Sequence, residues 1–416
     1  MEYSRLVRVV DRYIGSFLCF LFSLFHKLRS TPKDKTIKKI LLIELVEMGA
    51  AVMAYSSIRY IRGQIPDAEI HCLCLESKKE SWMLIEEIAK ENVHVIDDRS
   101  IGRLILSLLM QVLALSKKKF DLIIDFELFL RISAVIAFLI RAKWRAGFYR
   151  YTMEGMYRGT FYDVKCAFNQ NMHIAKNLLA LTKSAVPLSA GYYNYDGPIS
   201  NTEIKTPRYA SDNALQKTVA AKLDRASGAA RGPLIIIAPT VGSALPIRDY
   251  PKEQYVDVIK KILKLYPTHR IVLVGSQDHK MACASIRENV ADARCVDFAG
   301  ETASLRELME LFCMGELLIS NDSGNPHFAA MVGLPNLVLF GPETPFMYGP
   351  IGKSVCLFQF FHTSPGLTAY NHKNDPGMTN RCLASISPER VAEMAGLIMA
   401  GKAVYGTVNN EIPYLV

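Results

Sequence analysis

Between Ser320 and Pro345 the chain reads SNDSGNPHFAAMVGLPNLVLFGPETP. Apolar runs bound this stretch, and the pattern is strand, tight Asn-Asp-Ser-Gly turn, short helix of small residues, strand. A Gly-containing turn that opens a helix leaves backbone N–H groups unpaired and pointing outward, where the helix dipole favours an anion. Asp322 either accepts from its own loop or binds a ligand hydroxyl. Ser323 and Gly324 supply amides, and His327, one turn into the helix, either donates to a phosphate or packs under the loop. A second loop, APTVGSALPIRDYP, follows an apolar run; its Thr240, Gly242 and Ser243 permit close approach to a diphosphate. Arg248 in the same loop is a cation suited to phosphate oxygens, or else a solvated loop charge. In VGSQDH, Ser276 and Gln277 follow a third buried run, and Gln277 can read a ribose or base edge or simply sit on the surface.

These groups suit the departure of a diphosphate. No DxD-like acidic metal cluster accompanies them, so cations and backbone donors are the expected means of stabilising the leaving group. Carboxylates gather elsewhere. KKILLIELVEMGAAV carries Glu44 at the end of an apolar run, where an acid needs a task or a partner. Glu47 and Gly49 follow in the loop. Asp125 and Glu127 close FDLIIDFE, and Arg131 beyond them either binds an anionic acceptor or pairs with a carboxylate.

The elements that must position these residues alternate. KKILLIELV, AEIHCLCLE, VHVID and FDLIIDFE read as strands separated by the helices AAVMAYSSIRYIRGQIP and IGRLILSLLMQVLALSKKK, with LRISAVIAFLIRAKW as a further helix. Tyr149 to Ser211 is less regular around the helix HIAKNLLALTKSA. A polar helix at about Asp212 to Ala226 and the break SGAARGP lead into a second series: LIIIAPT, KEQYVDVIKKILKLYP, HRIVLVGS, HKMACASIRENVA, CVDFAG, SLRELMELFCMG, ELLISN, PHFAAMVG and NLVLFG. The expected fold is α/β, two Rossmann-like doubly wound domains facing a cleft, because 416 residues exceed what one core usually serves. The boundaries read as an N-terminal helix at 1–36, an acceptor domain at 37–205, a donor domain at 206–395 and a tail at 396–416.

Charge singles out the N-terminus. Residues 1–39 hold nine Lys or Arg against three acids, so six of the nine net positive charges lie there. Between them runs YIGSFLCFLFSLF, 13 residues with eight Phe, Leu or Ile. That is short of the roughly 20 needed to cross a bilayer, and no small-residue cleavage site follows it. An apolar helix with basic flanks suits an anionic membrane surface; the other reading is packing on the protein's own core or on an oligomer partner. The nine cysteines contain no CxxC pair and read as reduced, buried thiols of a cytoplasmic protein. The basic surplus accompanies an apolar segment rather than a stacking platform, which argues against nucleic acid.

The order of these motifs resembles the ADP-heptose:lipopolysaccharide heptosyltransferase family, inverting glycosyltransferases of GT-B architecture. The likeness runs from about Lys38 to about Val391 and is strongest in Asp322, Ser323, Gly324, His327, Ala329 and Ala330, then Gly341, Pro342, Glu343, Thr344 and Pro345. The resemblance implies a nucleotide-diphospho-sugar donor, ADP-linked, with Arg248 against its phosphates and no further cofactor or metal. It also implies a lipopolysaccharide or lipid-linked acceptor at the inner membrane. In the family the loop after the first strand ends in Gly-Asp, and that Asp is the expected general base. Here the position is Ala50, so Glu47 is the first candidate base and Glu44 the second, with Asp125 and Glu127 in reserve. The alternative is a catalytically inactive, membrane-associated sugar-nucleotide binder or assembly protein; a sugar-nucleotide epimerase is a third. The segment from Phe361 to Val391 resembles a family variant with extra cysteines. Gly366 and Gly377 stand where Cys is expected while Cys382 remains, so His362, His372 and Cys382 read as a loop beside the donor site rather than a zinc site.

Overall fold

Long apolar runs build the strands, and their near-continuous Ile, Leu and Val content marks a parallel sheet covered on both faces. The computed structural model describes residues 5–152, 155–193, 198–241, 246–358 and 381–405, and the chain divides into two units, Met1–Lys205 and Thr206–Val416.

In the first unit, α1 (Arg5–Val10) and α2 (Ser16–His26) are joined through a π turn at Asp11–Gly15. There follow β1 (Lys39–Ile43), α3 (Ala50–Gln64), β2 (Glu69–Leu75), α4 (Lys79–Leu84), β3 (Val93–Ile96), α5 (Ile101–Lys117), β4 (Leu122–Asp125) and α6 (Ile132–Leu139). Next come β5 (Trp144–Phe148), the two-stranded ribbon β6 (Arg150–Tyr151) and β7 (Tyr157–Gly159), β8 (Val164–Cys166), α7 (Ile174–Ala185) and β9 (Gly191–Tyr193). The seven-stranded sheet has the order β3-β2-β1-β4-β5-β8-β9, parallel throughout. The order reverses between β1 and β4, the topological switch point where doubly wound folds bind ligands at carboxyl strand ends.

The N-terminal segment packs on the protein's own core by one face and leaves an apolar stripe on the other. One face belongs to the core: Cys19 is fully buried, Phe22 stacks on Phe138 of α6 at 4.2 Å, and Asp11 Oδ1 accepts the backbone N–H groups of Arg131 and Ile132 at 3.0 and 2.9 Å. Asp11 thereby caps α6 from 120 residues away in sequence. The opposite face leaves Tyr13, Ile14, Phe17, Phe20 and Leu24 exposed, spaced as one helical stripe. Among the described residues no helix is long and apolar enough to cross a membrane.

The second unit contains α8 (Asn213–Ser227), β10 (Leu234–Ala238), α9 (Lys252–Leu265), β11 (Arg270–Leu273), α10 (Lys280–Val290), β12 (Cys295–Asp297) and α11 (Leu305–Cys313). It continues with β13 (Gly315–Asn321), α12 (Asn325–Val332), β14 (Asn336–Leu339), α13 (Pro345–Tyr348), β15 (Ser354–Leu357), α14 (Arg381–Ala384) and α15 (Pro388–Met399). Its parallel sheet, β12-β11-β10-β13-β14-β15, reverses between β10 and β13. Apolar residues of α9, α10 and α15 pack with Ile235, Ile237 and Leu273 in one core.

Three local expectations change. The helix read as LRISAVIAFLIRAKW stops at Leu139, because Trp144 opens a strand beside β4. The irregular stretch after Tyr149 supplies β8 and β9 to the sheet. The boundary placed at 395 falls inside α15, whose Val391, Met394, Ala395 and Ile398 are core residues.

Candidate functional site

In the second unit the parallel register brings the ends of β10 and β13 side by side, with Ala238 opposite Ser320. The loops carrying Arg248 and Asp322 therefore leave the sheet at its switch point. Asn321 ties them: its Nδ2 donates to the Pro239 carbonyl at 2.9 Å, and its Oδ1 accepts from the Tyr255 hydroxyl at 2.9 Å. Arg248 donates from Nε to Glu343 Oε2 at 3.0 Å, and its Nη2 lies 2.7 Å from Glu343 Oε1. Its Nε also lies 3.7 Å from Asp322 Oδ2. The guanidinium is thus held in a fork rather than solvated, with 13% of its side chain exposed.

Asp322 is buried, and burial drives its carboxyl up to about 7, with Arg248 opposing and Glu343 reinforcing the rise. Its Oδ2 makes no hydrogen bond among the described residues. Ser323 Oγ accepts the Asn325 N–H at 3.3 Å at the start of α12, Gly324 precedes that helix, and His327 is buried in its first turn. Thr240 is half-buried, and its hydroxyl has no hydrogen-bond partner among the described residues. Ser276 and Gln277 are exposed at the carboxyl end of β11, where a Cβ on Gly300 would lie 2.2 Å from Gln277 Oε1, so the Gln277 side chain fills the space a larger residue would occupy. At the end of β14 a Cβ on Gly341 would meet Cys382 Sγ at 2.7 Å, which explains the glycine before Pro342. Thr344 caps α13 by accepting the Phe346 N–H at 3.3 Å. Gly242, Ser243, Gly366, Gly377, His362 and His372 lie outside the described residues. Among the described residues no group of three His, Cys, Asp or Glu is placed to hold a metal.

The sequence reading passed over Asn321 and Glu343 as site residues. Both stood in quoted motifs, and the available signal was an acid and an amide at strand ends flanked by apolar runs.

In the first unit, Ile43 of β1 pairs with Asp125 of β4, so Glu44 and Glu127 exit at the other switch point. Glu44 is buried, and burial together with the charges of Glu127, Glu47 and Asp125 pushes its carboxyl well above the usual range, against the Glu47 backbone N–H that it accepts. Glu127 is 1% exposed; its Oε1 accepts the backbone N–H groups of Leu128 and Phe129, each at 3.0 Å, while Oε2 has no hydrogen-bond partner among the described residues. Burial raises its carboxyl too. Glu47 is half-buried in the loop, and its carbonyl accepts the Ala50 N–H at 3.3 Å. Gly49 precedes α3, and Ala50, buried, opens it.

Asp125 and Arg131 are committed internally. Asp125 Oδ2 accepts from Arg158 Nη2 and the Tyr162 hydroxyl, both at 2.6 Å, and from Ser133 Oγ at 3.1 Å, while Oδ1 accepts the Glu127 N–H. A carboxylate so fully engaged has little left for a substrate proton. Arg131, 2% exposed, pairs with Asp11 at 3.3 Å, which is the second of the two roles read from the sequence.

Comparison with known proteins bears on the family and the fold. The family model described as glycosyltransferase family 9 (heptosyltransferase) matches residues 110–370. The chain is 23% identical over 372 residues to lipooligosaccharide heptosyltransferase 2 of Haemophilus ducreyi, covering 87% of this chain and 99% of that one. A match to lipopolysaccharide heptosyltransferase 2 of Salmonella typhimurium, 26% identical, covers 38% of this chain and spans 45% of that protein. The solved E. coli ADP-heptose LPS heptosyltransferase II superposes with a TM-score of 0.64 at 19% identity, over 88% of this chain and 99% of that one.

Proposed function

The chain belongs to glycosyltransferase family 9, and on that premise we propose that it moves a heptosyl group from an ADP-linked donor to a lipopolysaccharide-type, lipid-linked acceptor, with inversion and without a metal. The supporting observation is the Arg248 fork at the switch point of the second unit, beside the Asp322 turn and the start of α12. In this reading the acceptor hydroxyl attacks the anomeric carbon as the bond to the diphosphate breaks. Arg248 and the amides after Asp322 take up the charge that develops on the leaving group. Asp322, whose carboxyl burial drives up to about 7, opposes the diphosphate less than an ordinary carboxylate would. The nucleoside end falls to the loop of Ser276 and Gln277.

The attacking hydroxyl must lose a proton, and Ala50 has nothing to take it with. Glu44 is the less suited of the two because burial and the charges of Glu127, Glu47 and Asp125 push its carboxyl well above the usual range and its side chain already accepts the Glu47 backbone N–H. Glu47 is less buried, and its charge, after that of Asp98, helps hold the half-buried Lys78 in its ammonium form. We assign Glu47 as the base and Glu44 as the residue that fixes the loop through the Glu47 N–H. A lipid-linked acceptor puts the working enzyme at the cytoplasmic face of the inner membrane, with residues 1–36 as its contact.

Glu47→Gln tests the assignment. Transfer is expected to slow by about a hundredfold or more, with ADP affinity by calorimetry unchanged. Undiminished transfer removes Glu47 from the mechanism. Absence of ADP binding in the wild type, or an equal response to UDP and GDP, overturns the donor reading.

A further inference from the structure

Helix α5 has apolar residues on every side. Its inward face, Leu104, Leu108, Val112 and Leu115, packs on the first unit's core. Its outward face is Ile101, Ile105, Leu106, Leu109, Met110 and Leu113, 41–66% exposed. A helix apolar all round is normally enclosed, and within this unit α5 is not. It has company: α6 touches α5 through the Ser116 hydroxyl on the Leu139 carbonyl and α2 through the Phe22–Phe138 stack. All three helices pack on the same core cluster, and Leu139 between the other two is itself exposed. The exposed stripe of α2 and that of α5 therefore flank one helix on one side of the sheet.

Cations close each of the three helices. Lys27 follows α2, Lys117 and Lys119 end α5, and Arg141 follows α6; all four are exposed and none is ion-paired among the described residues. From Arg99 to Phe120 there are five basic residues and no acid. We infer that α5 is a second lipid-docking element, so that α2, Leu139 and α5 form one apolar platform, rimmed by cations, that lies on an anionic bilayer surface. A second copy of this chain fits less well, because a twofold interface sets a face against itself and would bring the same positive rims together. A bilayer with acidic headgroups supplies the opposite charge and accepts side chains of any packing. At 17 residues α5 is about 25 Å long, enough to lie in the interface without crossing it.

The inference shares with the reading of residues 1–36 the premise that the partner is lipid, and extends it to an element outside them. Its test is sedimentation of the full-length chain with vesicles of phosphatidylcholine containing about a third phosphatidylglycerol. The variant Leu106→Gln/Leu109→Gln/Met110→Gln changes side chains already 57–61% exposed, so its melting curve should match the wild type. Its vesicle affinity should fall at least about tenfold, as should that of Phe17→Gln/Phe20→Gln. Lys117→Ala/Lys119→Ala should weaken binding to the anionic vesicles and leave binding to pure phosphatidylcholine unchanged. Wild-type binding by the α5 variant, with loss in the α2 variant, overturns the inference while sparing the N-terminal reading. A wild type that ignores vesicles and forms a dimer dissolved by the α5 substitutions overturns both.

Discussion

Each unit sets an arginine beside carboxylates at the switch point of a parallel sheet, and the two arrangements differ in what they leave open. In the first, Arg158 and Asp125 are both wholly buried, 2.6 Å apart, and Asp125 accepts from four donors. In the second, Arg248 keeps 13% of its side chain exposed, and Asp322 Oδ2 lies 3.7 Å away without a hydrogen bond. A buried pair whose carboxylate is saturated is scaffold: removing one partner strands the other. An arginine that grips Glu343 and faces Asp322 while part of its side chain stays exposed stands where an anion can reach it. The same fold and the same residue types thus yield a rivet in one place and, on the proposed reading, a receptor in the other.

The comparison predicts opposite signatures. Asp125→Ala should cost about 3–5 kcal/mol of stability in urea unfolding, since it leaves Arg158 charged and unpaired in the core. A loss below about 1 kcal/mol would erase the distinction. Arg248→Met combined with Glu343→Gln removes both charges together, so unfolding should change less than for Asp125→Ala. ADP affinity by calorimetry should drop about tenfold to a hundredfold, the roughly 1.5–3 kcal/mol of a charged hydrogen bond.

The smallest effect is one of pH. With its carboxyl at about 7, Asp322 is neutral below that value and anionic above it. Affinity for a nucleotide-diphosphate sugar, whose own charge is constant here, should fall by roughly threefold to tenfold between pH 6 and pH 8, and Asp322→Asn should flatten the profile. The sign for stability is the same. The raised value favours the folded state fully below the unfolded carboxyl value of about 3.9, and that contribution is lost as pH rises through about 7.

Much of this was legible in the chain because it was local. The runs KILLI, LIII and LLIS are largely apolar and alternate with helical stretches, so their strands were readable, while the strand order that sets the switch points came from the structure. Arg248 and the Asp322 turn were readable as anion-binding types for the same reason. The fates of Asp125 and Arg131 were not, because they depend on partners distant in sequence: Arg158, 33 residues on, and Asp11, 120 residues back. The strands β8 and β9 are three residues each, too short to carry a period, and exist because β5 offers an edge to pair with. The split character of the N-terminal helix escaped for a related reason. A stripe apolar on both sides does not say which side the protein keeps.

The way that helix is fastened bears on how the enzyme would work. Stacked rings and an acid locked onto the start of α6 make it a keel rather than a leash. Whatever surface it rests on, the first unit must rest there too, at one fixed tilt, with no slack for reaching. Trimming the segment to improve handling would also strip a cap and a ring from the hull, so a shortened enzyme would be a damaged one rather than a merely untethered one.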